Sequence, residues 1–426
     1  MDTIFALATA RGRSGVAVIR VSGPQAFEIS HILTGTRPVP ATKTLRRVVD
    51  GEGALVDHAL VLGFVAPRSF TGEDVVEFHV HGSPAVISAV EALIDGTGLA
   101  RPAEAGEFTR RALMNDKLDI AQVEGLGDLL SAETEAQRKQ AMRLLDGKLG
   151  RVADAWRADL LRAAALLEAT IDFADEDVPV DVMPEVGGLL RKVSASLRLE
   201  VEGAKVAERV RDGFEVAILG APNAGKSTLL NHIAGRDVAI TSEIAGTTRD
   251  ILEVRLDLRG IPVTLLDTAG LRDAEDEIER IGVRRTRTRA LDADLRVFLL
   301  GPGDVAPSDL VKDDDIVVGG KADLTGEGVS GVTGQGVDTL LERIERVLGG
   351  RMLGIATATR ERHRAAMERA LLAIGDAEQV FATTPDMPEI GAAHLREAMS
   401  SLDSLTGRID VEAILGEIFS SFCIGK

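Results

Sequence analysis

Phe214-Glu-Val-Ala-Ile-Leu-Gly-Ala-Pro-Asn-Ala-Gly-Lys-Ser-Thr-Leu-Leu230 is the stretch around which the chain is organised. Its apolar run from Val216 to Leu219 reads as a short buried strand, Gly220 ends that strand, and Leu229, Leu230 and Ile233 have helical spacing. Between them Gly220, Gly225, Lys226 and Ser227 spell Gly-x-x-x-x-Gly-Lys-Ser in a strand–loop–helix setting. Glycines let backbone N–H groups curl around phosphates, and the lysine brings a cation to the outer phosphates. The serine hydroxyl ligates Mg²⁺, and the helix N-terminus faces the anion. The reading is a nucleoside triphosphate site lined by Asn223, Ala224, Gly225, Lys226, Ser227 and Thr228.

Downstream, Gly246-Thr-Thr-Arg-Asp250 precedes strands expected at 251–258 and 263–266. Thr247 and Thr248 stand where a GTPase switch loop offers its Mg²⁺ and γ-phosphate ligand, and Ser242, Glu243, Ile244, Ala245 and Gly246 complete that loop. The second strand runs into Asp267, Thr268, Ala269 and Gly270. An Asp at a strand end beside the phosphates holds Mg²⁺ directly or through water, and the Gly270 N–H can meet the γ-phosphate. Phosphate loop, Thr pair and Asp-x-x-Gly in this order favour a GTPase over a generic P-loop ATPase.

GTPases usually read guanine with Asn-Lys-x-Asp after a strand. Here the apolar run 316–318 is followed by Gly319, Gly320, Lys321, Ala322 and Asp323. Asp323 can accept from guanine N1–H and N2–H₂, and the Lys321 stem can lie on the ring. Gly320 takes the Asn position, so the amide that ties this loop to the phosphate loop is missing and a looser base pocket is expected. A backbone N–H of the Ser330-Gly331-Val332 segment can meet guanine O6. A Ras-like water-orienting Gln is also absent, because Leu271 follows Gly270. The acids Glu275, Asp276, Glu277 and Glu279 are the local candidates for that work, against the plainer reading of a solvated acidic segment.

The whole chain has 426 residues, 45% hydrophobic and 27% charged, enough for several domains of ordinary globular composition. Its net charge of −18 does not suit a general nucleic-acid binder, so contact with RNA would need a small basic patch or a basic partner. With one Cys, at 423, no internal disulfide forms and a reducing, cytoplasmic setting is expected. Neither a signal peptide nor a run near the roughly 18 apolar residues of a membrane helix is visible.

The N-terminal part, about 1 to 117, alternates as strands at 15–21, 59–65 and 75–80, with a helix expected from Pro24. Arg20 shares a face with Val16 and Val18, and Glu77, His79 and His81 share one on the later strand. A solvated outer face is the plain reading, and a small-ligand site using Arg20 and Glu77 the sharper one. No further ligand cluster supports a metal site at His79 and His81. Helical spacing recurs over 118–145, 153–169, 189–210, 360–374, 394–405 and 411–422, with an acidic loop at 172–184. These faces pack as a bundle into which residues 212–351 are inserted; prolines and loops argue against a coiled coil.

The chain resembles the MnmE (TrmE) family of tRNA-modification GTPases. The resemblance rests on Asp2-Thr-Ile, Gly15 to Gly23, Phe70-Thr-Gly-Glu-Asp74, Asn115-Asp-Lys-Leu118, the 221–227 and 244–250 motifs, Asp267-Thr-Ala-Gly-Leu-Arg272, Glu279-Arg-Ile-Gly282 and Phe422-Cys-Ile-Gly-Lys426. It implies a mixed α/β and α+β multidomain fold. This comprises an N-terminal α+β folate-binding and dimerisation domain (1–117), an α-helical bundle domain (118–211 and 352–426) and an inserted Ras-like, doubly wound P-loop GTPase domain (212–351). It further implies folate contacts at Arg20, Glu77, Lys117 and Lys426, to a 5-formyl or 5,10-methylene tetrahydrofolate. Mg²⁺ falls to Ser227 and Thr248 with Asp267 through water, and K⁺ to Asn223, Ser242, Ile244 and Thr247. Glu279 is the implied water-orienting catalytic residue beside Lys226. The implied partners are a second copy of the chain, the FAD protein MnmG in a heterotetramer, and tRNA, whose wobble uridine receives an aminomethyl or carboxymethylaminomethyl group. No membrane is involved. Cys423 sits in the terminal motif, and a structural or folate-proximal role suits it as well as a catalytic one. The rival classes are a ribosome-assembly GTPase, for which no basic RNA-binding domain is visible, and a binding module without catalysis, which the retention of Lys226, Asp267 and Glu279 opposes.

Overall fold

A computed structural model describes residues 2–40, 42–172, 181–240, 253–267, 289, 291–305, 311–352, 356–384, 387–407 and 425. The chain divides into two compact units, residues 1–127 with 403–426, and residues 128–402.

The first unit holds β1 (Ile4–Leu7), β2 (Ser14–Ser22), α1 (Ala26–Thr34), β3 (Lys43–Val49), β4 (Leu55–Phe64), β5 (Val75–Gly82), α2 (Pro84–Gly96), β6 (Arg101–Pro102), α3 (Glu107–Met114) and the start of α4 (Ile120–Ser131). The strands form one sheet in the order β3-β4-β5-β2-β1-β6, antiparallel except where β6 joins β1. Period-two alternation does the sorting. Ala17, Ile19 and Val21 of β2 and Val76, Phe78 and Val80 of β5 join Ile29 of α1 and Val90 and Ile94 of α2 in one core. The other face carries Arg20 opposite Glu77 in register, with Phe108 of α3 packed on Ile4 and Ala6. α1 starts two residues after Pro24, behind Gln25 as its N-cap. The turn before it is held against β1: a Cβ on Gly23 would lie 2.7 Å from the Thr3 Cα, and Thr3 Oγ1 accepts from the Gln25 N–H at 3.0 Å.

The second unit begins as helices. The helical spacing of 118–145 belongs to two of them, because α5 (Glu135–Leu145) starts afresh on a capping box: Thr134 and Gln137 exchange side-chain to backbone bonds. α6 (Lys148–Asp172) packs along α7 (Met183–Asp212), and α7 along the helix Glu361–Thr383. Val186, Leu190, Val193 and Leu197 form the buried stripe of α7, and Ala366, Met367, Ala370 and Ile374 that of the later helix. α7 takes Pro184 into its first turn, so the segment expected to be a loop through Pro184 is already helical at Met183. The expected helix over 411–422 lies outside the described residues.

α7 passes through Gly213 straight into β7 (Phe214–Leu219). α8 (Lys226–Ala234), β8 (Glu253–Leu258), β9 (Ile261–Asp267), β10 (Leu295–Leu300) and β11 (Ile316–Gly319) follow. The sheet order is β11-β10-β7-β9-β8, parallel except for the β8–β9 pair. Strands buried on both sides need apolar runs, which 216–219 supplies unbroken and 263–266 with the buried Thr264 as its one polar residue. The chain leaves central β7 for one side of the sheet and later returns to the other, so the end of β7 is the point where doubly wound sheets open a crevice. Asp294 ties sheet to helices: its carboxylate accepts from the Glu215 N–H at 2.8 Å and pairs with Arg209 of α7 at 2.9 Å. Among the described residues no helix is long and apolar enough to cross a membrane.

Candidate nucleotide-binding site

The loop leaves β7 at Gly220 and runs hard against β10, where a Cβ at 220 would lie 2.2 Å from the Leu299 carbonyl oxygen. Asn223 and Gly225 take left-handed backbone, φ 63° and 104°, which turns the chain twice before α8 begins. Lys226 is buried to 8% exposure, and its Nζ donates to the Gly220 and Ala221 carbonyls at 2.9 Å each. The ammonium is thereby folded over the loop at the start of α8, whose first N–H groups carry the positive end of the helix dipole.

Facing this loop is the segment after β11. Lys321 has left-handed backbone, φ 57°, and caps a short helix Ala322–Thr325 that holds Asp323 in its first turn. Asp323 Oδ1 accepts from Ser330 Oγ at 2.6 Å, while Ser330 Oγ accepts from the Val332 and Thr333 N–H groups at 3.2 and 3.3 Å. The Ser330 N–H is itself used, donating to the Gln335 carbonyl at 2.9 Å. A cavity of about 810 Å³ joins the two sides, lined by the 222–228 loop and by Leu299, Lys321, Asp323 and Val332. Its size suits a mononucleotide.

The structure brings Asn223, Ala224, Gly225, Lys226, Ser227, Thr228, Lys321 and Asp323 to this one cavity and sets Ser330 behind Asp323. Asp267 ends β9 in register with Ile218, at the same sheet edge. Ser242, Glu243, Ile244, Ala245, Gly246, Thr247, Thr248, Thr268, Ala269, Gly270 and Glu279 lie outside the described residues, as do Cys423 and Lys426. Ser227 and Asp267 of the expected Mg²⁺ set and Asn223 of the expected K⁺ set are thus described, and Ser227 and Asn223 line the cavity.

In the first unit Arg20 Nε donates to Glu77 Oε1 at 2.9 Å, and His79 Nε2 lies 3.3 Å from the other Glu77 oxygen. The Arg20 guanidinium sits 5.3 Å from the Phe70 ring centroid and 5.6 Å from that of Phe108. Lys117 packs on the same loop as Phe70: a Cβ on Gly72 would come within 3.2 Å of its side chain. The Gly425 backbone presses on the end of β1, where a Cβ would lie 2.0 Å from the Leu7 carbonyl oxygen, close to Ala6, the register partner of Arg20. His81 turns instead to Asp57, with 2.7 Å between Nδ1 and Oδ1. Burial pushes the Asp57 carboxyl up, but the bonds from His81 and His58 outweigh it and hold it below its ordinary value.

Sequence reasoning missed the two rings around Arg20, although Phe70 stands in the quoted 70–74 motif. It also missed the network behind them. Arg111, 4% exposed, donates to the Asp2 carbonyl at 2.6 Å, to Asp2 Oδ1 at 2.8 Å, to Glu107 at 3.0 Å and to Glu73 at 3.2 Å. Arg101 grips Glu107 with both terminal nitrogens, at 2.9 and 2.7 Å. Burial pushes the Glu107 carboxyl up, but bonds from Arg101, the Glu104 N–H and Arg111 outweigh it and hold it at about 2.

Two protein families match the chain: "GTP-binding protein TrmE N-terminus" over residues 3–117 and "MnmE helical domain" over residues 120–423. The chain is 57% identical to the tRNA modification GTPase MnmE of Roseobacter denitrificans, 58% to that of Cereibacter sphaeroides strain ATCC 17029 and 49% to that of Paracoccus denitrificans. Each alignment spans 100% of this chain and 100% of the relative.

Proposed function

The chain belongs to the MnmE family of tRNA modification GTPases, and from that premise we propose how its own residues divide the work. The observation that carries the proposal is the single cavity shared by the 222–228 loop and by Lys321 and Asp323. Backbone N–H groups of the loop and the Lys226 ammonium hold the phosphates, and Lys226 offsets the charge that gathers on them during hydrolysis. Asp323, aimed by Ser330, reads the guanine edge. Adenine offers a carboxylate no matching pair of donors, so the wrong base leaves Asp323 desolvated and unpaired.

Ser227 and Thr248, with Asp267 acting through water, would hold Mg²⁺, which would supply charge neutralisation to the phosphates. Asn223 offers K⁺ a side-chain oxygen, joined by Ser242, Ile244 and Thr247. Glu279 is assigned the orientation of the attacking water, work that Leu271 cannot do. Ser242, Glu243, Ile244, Ala245, Gly246, Thr247, Thr268, Ala269 and Gly270 are assigned further nucleotide contacts in this reading.

Arg20, Glu77, Lys117 and Lys426 are proposed to hold a tetrahydrofolate. The chemistry of the first three fits: a carboxylate for the donor edge of a pterin, flanking rings for its plane and cations for a glutamate tail. Such a folate supplies a one-carbon unit; the chain's residues bind and orient it. A dimer through the N-terminal domain and a complex with the FAD protein MnmG in the cytoplasm complete the reading, with the wobble uridine of tRNA as the modified base. Full-length similarity to tRNA modification GTPases weighs against a ribosome-assembly GTPase as the alternative.

Steady-state hydrolysis of GTP and ATP, in potassium and in sodium buffer at equal ionic strength, tests this. GTP-selective turnover that rises in potassium is expected. Equal rates in both salts remove the Asn223 cation site, and comparable ATP turnover removes the guanine-reading role of Asp323.

A further inference from the structure

Gly320 stands at the position where the usual guanine-reading motif has Asn, and sequence reasoning alone expects a loosened base pocket. The structure contains the opposite feature. Gly320 follows β11, its N–H donates to the Leu300 carbonyl at 2.7 Å, and it bridges to Val329. A Cβ placed on it would lie 2.7 Å from the carbonyl oxygen of Ala224, inside the phosphate loop, and 3.1 Å from Leu299 Cγ. Real Cβ atoms do not approach a backbone oxygen so closely. The base-side segment therefore touches the phosphate loop backbone to backbone.

Gly331 repeats the backbone contact on α8, and Gly334 meets a side chain of the same helix. A Cβ on Gly331 would lie 2.5 Å from the Leu229 nitrogen and 2.5 Å from the Thr228 carbonyl carbon, and one on Gly334 would lie 2.8 Å from His232 Nε2. Ala224, Thr228 and His232 are four residues apart, so they form one row along α8 and the loop that leads into it. Gly320, Gly331 and Gly334 lie on this row as a strap. The strap fixes where Asp323 and Lys321 stand relative to Lys226, and both sit between its first and second contacts in sequence.

We propose that Gly320 is a specificity-determining positioning residue. Its lack of a side chain sets the separation of base and phosphate sides, in place of the bridging amide. The proposal rests on the reading of Asp323 as the guanine contact. Its consequence opposes intuition: restoring Asn forces the two sides apart and weakens guanine nucleotide binding. A shift of a few tenths of an ångström in a packed contact, set by a rigid carbonyl, corresponds to a loss of about tenfold in affinity.

The test measures dissociation constants of GDP and of inosine diphosphate, which lacks the 2-amino group, for the full chain and for Gly320→Asn, Gly320→Ala and Gly319→Ala. Gly319 is the matched control, since a Cβ there meets nothing closer than the Glu327 carbonyl oxygen at 3.8 Å. The expected result is a roughly tenfold weaker GDP affinity for both substitutions at 320, a smaller preference for GDP over inosine diphosphate, and Gly319→Ala within about twofold of the parent. Affinity that is unchanged or improved in Gly320→Asn overturns the proposal. Gly320→Ala carries the same reading on one methyl if the larger side chain prevents folding, which circular dichroism reports. A parent chain that binds both nucleotides equally removes the guanine reading of Asp323. The change in absolute affinity at 320 then still decides whether the backbone contact sets the pocket.

Discussion

The two candidate sites hold their cations in opposite ways. In the N-terminal unit, Arg111 of α3 is buried and bound by the carboxylates of Asp2, Glu73 and Glu107, and Arg101 also closes on Glu107. At the end of β7, Lys226 is nearly as buried, yet two of its partners are the neutral carbonyls of Gly220 and Ala221. Carboxylates cancel a cation and commit it to the fold. The carbonyl contacts of Lys226, by contrast, are made by the phosphate-loop backbone itself. The first arrangement is made of side chains and should respond to pH and to truncation. The second is made of backbone and should respond to added atoms.

The largest expected effect is on the side-chain-built network. Glu107→Ala leaves Arg111 and Arg101 facing each other with one shared carboxylate gone and Arg111 still buried. Breaking one partner of a buried ionic network costs about 3–5 kcal/mol. Denaturant unfolding followed at the N-terminal unit should show that loss, while GDP affinity stays at the parent value. A parallel fall in GDP affinity would break the distinction between the two sites.

Acid sharpens the same contrast with a somewhat smaller effect. The Glu107 carboxyl ordinarily titrates at 4.5 and is held at about 2 in the folded chain. A carboxyl depressed by folding contributes stability that is fully present above its unfolded value and is lost as protons bind through the folded one. The side chain is only 3% exposed, so the contribution is little screened and amounts to roughly 3 kcal/mol, fading between pH 4.5 and 2. Denaturation midpoints across that window should fall less steeply for Glu107→Gln than for the parent. Equal slopes would place the acid sensitivity elsewhere.

What the sequence makes legible follows the same division. Backbone-built features carry motifs: Gly225, Lys226 and Ser227 are readable because a phosphate loop needs those residue types at fixed spacing. Strand alternation likewise assigns Arg20 and Glu77 each a face of its own strand, and the β2–β5 pairing makes the two faces one. The Arg111 network escapes because only its Glu107–Arg111 pair, four residues apart on α3, is local, whereas Asp2 and Glu73 reach it from distant parts of the chain. Thr134 and Gln137 were legible as a capping box but were hidden within a longer helical periodicity. Gly320 was read as a loss because a missing side chain shows in sequence, whereas the space it would have filled does not. Ser330 was valued for its segment's backbone N–H groups, yet its hydroxyl makes the contact to Asp323.

That hydroxyl supports one of the few side chains the pocket uses, and its removal gives the smallest predicted effect. Ser330 is 1% exposed, donates to Asp323 Oδ1 at 2.6 Å and accepts from the Val332 and Thr333 N–H groups. Ser330→Ala removes one hydrogen bond to a carboxylate and one acceptor for the following turn, but leaves the Ser330 N–H bound to Gln335. Asp323 keeps its place on the helix Ala322–Thr325 and loses only its orientation, so GDP binding should weaken by about three- to tenfold. The preference for GDP over inosine diphosphate should shrink with it, because a carboxylate that turns freely cannot meet two donors at once. Competition binding with the two nucleotides checks both numbers. If neither moves, Asp323 is aimed by its helix alone and the base side of the pocket is set by backbone as fully as the phosphate side. If both move while the effect of Gly320→Asn is unchanged in the double variant, the aiming of the carboxylate and the spacing of the two loops are independent.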